Sequence, residues 1–105
     1  MSLKTVLSYL SEARANLSEA EKSLERAAKL FEKVVNEVPD IIRDYVDDVE
    51  RLEIEKELIE VWEKAKIAHR LAFDAHFLIL GKERDLREIL DRSENVQSVR
   101  SVREN

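Results

Sequence analysis

His69, His76, Arg70 and a run of carboxylates between Asp40 and Glu50 are the residues of this 105-residue chain whose chemistry could serve a function. The two histidines are seven residues apart. On a helix that is two turns, about 10 Å along the axis, so both would lie on one face but could not reach a common metal ion, whose ligands sit about 2 Å from it. Helical bundles that hold metals pair a Glu with a His three residues later. The residues three before His69 and His76 are Lys66 and Phe73, so no metal site is expected. No glycine-rich phosphate loop, nucleophile elbow or nucleophile with a nearby base can be assembled, so neither a cofactor nor a catalytic centre of those kinds is expected. The plain expectation for both histidines is that they edge a buried stripe and hydrogen-bond to polar neighbours, within the chain or across a dimer seam.

Arg70 and His76, an Arg and a His separated by five residues, resemble the short motif of HEPN ribonuclease domains, which are all-helical and commonly dimerise. The resemblance spans seven of the 105 residues. It implies that Arg70 stabilises phosphate charge and that His76 acts as acid or base in cleaving RNA at a dimer interface, work suited to a group that titrates near neutrality. Leu71 stands where that motif often carries Asn or another polar residue. The chain is also acidic, with a net charge of -5, where an RNA-binding surface should be basic. A ribonuclease is therefore the alternative reading, and direct binding of nucleic acid is not expected.

The acidity is local. Residues 39–60 hold nine acidic and three basic side chains, while the segments on either side are balanced or nearly so. Asp40, Asp44, Asp47, Asp48 and Glu50 are expected on one solvated side, opposite Ile42, Tyr45 and Val49. A calcium loop would need a Gly-containing turn, and there is none. What remains is a charged outer face that keeps the protein soluble, or a surface that docks a basic protein partner by electrostatic complementarity.

The elements that position these residues are helices. With one Gly and one Pro the chain lacks the turn residues that strand-rich folds need at each hairpin. An apolar content of 44% is enough to fold a single domain over residues 1–105 even though 39% of the chain is charged. Absence of cysteine fits a reducing compartment, the cytoplasm by default. No secretory signal or membrane-spanning segment is expected. Abundant Glu, Lys and Arg lean towards a thermophilic source.

Apolar residues from Leu3 through Leu10, Ala13, Leu17, Ala20, Leu24, Ala27 and Phe31 to Val38 alternate three and four apart, the seam of a coiled coil. A helix over about 3–36 is predicted, with Ser18 and Glu21 on its surface. Pro39 suits a first helical position, so a second helix is predicted over about 40–50. The later seam (Leu58, Ala65, Ala68, Ala72, Ile79) extrapolates backwards onto Arg51 and Asp47, which predicts a corner near Leu52 and a third helix over 52–80. Gly81 is a candidate left-handed cap, followed by a helix over 83–92 and a frayed or weakly helical tail over 93–105.

The expected architecture is all-α: an elongated antiparallel hairpin of two long helices with shorter ones. Between Ala65 and Leu80 the chain is apolar nearly all round, since a second stripe (His69, Phe73, His76, Leu80) runs beside the alanine line and Ile67, Leu71 and Leu78 cover a third side. One partner helix cannot cover three sides. A homodimer forming a multi-helix bundle is predicted, with Trp62, Ala65, Ala68, His69, Ala72, Phe73, His76 and Leu80 as the self-association surface. The expected function is that of a non-enzymatic interaction or scaffold protein.

Overall fold

Ser2 starts the first helix by the usual N-cap device: its Oγ accepts the Thr5 backbone N–H at 3.1 Å and its carbonyl accepts that of Val6. From there the three-and-four apolar spacing carries α1 over Leu3–Ile42. A tight turn follows, in which the Ile42 carbonyl accepts the N–H groups of Tyr45 and Val46. Asp47 then caps α2, its Oδ1 accepting the Glu50 N–H at 2.8 Å and its carbonyl that of Arg51. Asp48 and Glu50 place negative charge at the positive end of the helix dipole. Helix α2 runs over Asp48–Glu104. The computed structural model describes the backbone of residues 1–104 and the side chains of residues 1–95. Among the described residues there is no strand, and no helix is long and apolar enough to cross a membrane.

The two helices pack antiparallel along a seam with a regular register. Arg14 of α1 pairs with Glu83 of α2. Seven residues forward on α1 and seven back on α2, Glu21 pairs with His76. Near the open end Lys4 lies 3.6 Å from Glu94, so α2 outruns the start of α1 by about ten residues. The molecule measures 87 × 19 × 15 Å with a radius of gyration of 24.3 Å, against about 13 Å for a compact domain of this length.

Four boundaries differ from those predicted. α1 continues through Pro39 to Ile42 instead of ending at Asn36, since the φ of Pro is compatible with a helix; the cost is the bond to the Val35 carbonyl and the crowding of that carbonyl by the ring. No separate helix forms over 40–50, and the turn occupies residues 43–47. No corner forms near Leu52. Arg51, which the seam phase places inward, and its neighbour Glu55 are three-quarters buried and pair at 3.6 Å, so polar residues at the seam are accommodated by an ion pair without a bend. Gly81 has no positive φ and is an ordinary residue of the long helix. The backbone of the tail continues this helix to Glu104, while the side chains of Val96, Val99 and Val102 lie outside the described residues.

Candidate functional site

Two polar rungs cross the middle of the seam. In the first, Arg14 Nε donates to Glu83 Oε1 at 2.8 Å, and Arg87 approaches the other carboxylate oxygen at 3.6 Å. Glu83 is 3% exposed, and among the described residues no apolar one is as deeply buried. Its charge is tolerated there because two guanidinium groups face it. In the second rung, His76 Nδ1 and Glu21 Oε2 are 2.6 Å apart. A carboxylate only accepts, so Nδ1 carries the proton. The prediction that His76 bonds a polar neighbour is met within the chain. Glu21, predicted to be surface, is instead 14% exposed at its side chain.

Around the Glu21–His76 rung, Ser18, Lys22 and Glu25 of α1 and His69, Phe73, Phe77 and Leu80 of α2 line an open hollow of about 440 Å³. Phe73 and Phe77 stack with ring centroids 4.8 Å apart. A neighbouring hollow of about 310 Å³ is lined by Ala28, Lys29 and Glu32 of α1 and Trp62, Lys66, His69 and Arg70 of α2, with Lys66 Nζ 3.8 Å from the centre of the Trp62 ring. Both hollows are on the same side of the hairpin, since Glu25 and His69 contribute to each. Among the described residues no three His, Asp or Glu side chains come together as a metal site would need.

The eight residues predicted to self-associate are thus divided. Trp62, His69, Phe73, His76 and Leu80 line the two hollows, Phe73 and Leu80 being 45% and 40% exposed. Ala65, Ala68 and Ala72 are half-buried and line neither hollow. Arg70 and His76 are not brought together within one chain. Six residues apart on a helix, they point about 120° away from each other, and no hollow is lined by both.

The acidic residues Asp40, Asp44, Asp47, Asp48 and Glu50 all lie exposed at the closed end of the hairpin. Three of them have local work, Asp47 as the cap and Asp48 and Glu50 at the helix start, and Asp40 pairs with Arg43. Of the apolar residues predicted to oppose them, Ile42 is half-buried, while Tyr45 and Val49 are 84% and 70% exposed, joined by Ile41 and Leu52. The roles of Arg14, Glu21 and Glu83 were not anticipated from the sequence. For the Asp47 cap a signal existed, in the spacing of Asp47 and Glu50 that resembles a capping box.

Comparison with protein-family models, with curated proteins and with solved structures gives no match for the chain.

Proposed function

We propose that this chain is a non-enzymatic helical scaffold that self-associates side by side and presents its acidic turn to a basic protein partner. The observation that carries the first half is the lack of any buried apolar residue among those described: Glu83 alone is buried. The chain exposes 8365 Å², whereas a compact protein of 12.3 kDa exposes about 6,100 Å². Large apolar side chains contribute to this surface, with Ile67, Leu71 and Leu78 of α2 57–69% exposed. Contiguous apolar surface on this scale marks an interaction site.

The acidic end supports the second half. Tyr45, Val49, Ile41 and Leu52 form an apolar centre among five exposed carboxylates, the composition of an interface core with a charged rim. A basic amphipathic helix is the complementary partner, and its binding should weaken as salt rises.

Light scattering after gel filtration tests self-association. The expected mass at micromolar concentration is twice 12.3 kDa, and a monomer throughout that range overturns the proposal. A non-enzymatic role is tested by incubating the purified protein with single-stranded RNA. RNA cleavage abolished by both Arg70→Ala and His76→Ala would favour the ribonuclease instead. That alternative has less support, because His76 is engaged by Glu21 and Arg70 points elsewhere.

A further inference from the structure

The polar rungs distinguish two sides of the hairpin. Glu21 and His76 face each other across the seam, and one residue further on is about 100° around either helix. The residues that follow them, Lys22 and Phe77, lie on one side, where both line the same hollow. The residues that precede them, Ala20 and Ala75, therefore lie on the other. The same construction holds one heptad away, where Lys29 and Arg70 line a hollow with Ala28 and His69, which leaves Ala27 and Ala68 facing away from it.

Granted the self-association proposed above, we infer that the second copy seats on the alanine side of the hairpin, away from the hollows. Large apolar residues extend that side. Leu71 and Leu78 follow Ala68 and Ala75 by three residues, which makes them neighbours on the helix surface, and they are 63% and 69% exposed. The opposite side carries Lys22, Lys29, Lys66 and Arg70 around its hollows, whereas the lysines of the alanine side, Lys64 and Lys82, stand at the two ends of the Ala68 to Leu78 stripe and are 74% and 72% exposed. Its aromatic surface is already covered in part, Trp62 by Lys66 and Phe73 by Phe77.

The area suffices for a second copy. A face as long as α1, about 60 Å, and as wide as the hairpin, 19 Å, presents about 1,100 Å² per copy. A stable interface needs about 800 Å² per partner. Alanines let helices of two copies approach to about 8 Å, and a two-fold axis sets the leucines of one copy against the alanine line of the other. The contact closes on itself as a four-helix bundle.

Light scattering and sedimentation equilibrium on the full chain, with Leu78→Arg and Phe77→Arg beside the wild type, test this. Neither side chain lies in the hairpin seam, and circular dichroism checks that each variant is helical. The expected result is a dimer for the wild type and for Phe77→Arg, and a dissociation constant raised at least about tenfold for Leu78→Arg. Loss of the dimer in Phe77→Arg with its retention in Leu78→Arg overturns the inference and leaves self-association standing. A monomeric wild type overturns both. A wild type whose monomers join only through a different protein overturns both as well.

Discussion

Among the described residues Glu83 is the one side chain that the hairpin encloses, and its surroundings explain how a carboxylate comes to be the most buried group of an apolar seam. Arg14 Nε holds one oxygen at 2.8 Å and Arg87 stands near the other. Removing the carboxylate leaves the Arg14 guanidinium, two-thirds buried, without its partner. Glu83→Ala should therefore lower stability by about 1–3 kcal/mol in urea denaturation, less than a fully buried pair because Arg14 retains contact with water. Replacing both members with leucine removes the desolvation cost together with the charge. Arg14→Leu combined with Glu83→Leu should be neutral or stabilising, and a double variant as unstable as Glu83→Ala would refute the assignment. The Arg87 pairing, four residues along the same helix, was legible from spacing, and the pairing with Arg14 was not. The alanine line of α1, Ala13, Ala20 and Ala27, was the visible seam, and Arg14 and Glu21 sit one residue to its side. Only pairing with α2 shows that the inward direction falls between the alanine line and those polar residues.

At the scale of elements, the local signals for breaks were outweighed by the continuity of the seam. Gly81 reads as a cap, yet it is helical, and a Cβ added to it would meet nothing within 4 Å. Gly81→Ala should then stabilise the protein by about 0.8–1 kcal/mol, raising the melting temperature by several degrees; a drop would mean that the glycine is needed for its backbone or for close packing. Pro39 reads as a helix start, yet it stands in the last turn of α1. Pro39→Ala restores one backbone bond, to the Val35 carbonyl. Discounted for the looser unfolded chain, the gain should be about 1–2 kcal/mol by the same measurement, and a loss would place the helix end before Pro39. Arg51 and Asp47 gave the phase mismatch that predicted a corner. The Arg51–Glu55 ion pair at 3.6 Å shows how a seam passes through polar positions when two long side chains can lie along it and satisfy each other.

The whole molecule is a rod 87 Å long in which none of the described apolar side chains is completely buried, and the proposed self-association rests on that shortage. If two copies pack side by side, small-angle scattering should show doubled mass with a longest dimension still near 87 Å. Doubled mass with a nearly doubled length would mean joining end to end and would contradict the bundle. From the sequence alone, the all-helical class, the two dominant helices and the elongated shape could be derived. Their cause is local: apolar residues three and four apart, almost no Gly or Pro, and a chain too short to fold such helices back more than once. The acidity of the closed end was equally plain, since charge is counted and needs no geometry. The tertiary structure alone decided which polar residues cross the seam, where the turn falls, and that Lys22 and Arg70 share one side while Ala20 and Ala75 lie on the other. Those facts depend on how one helix is rotated against its partner. A heptad pattern in one strand of sequence leaves that rotation open to about one residue, and here one residue separates a charged surface from an alanine one.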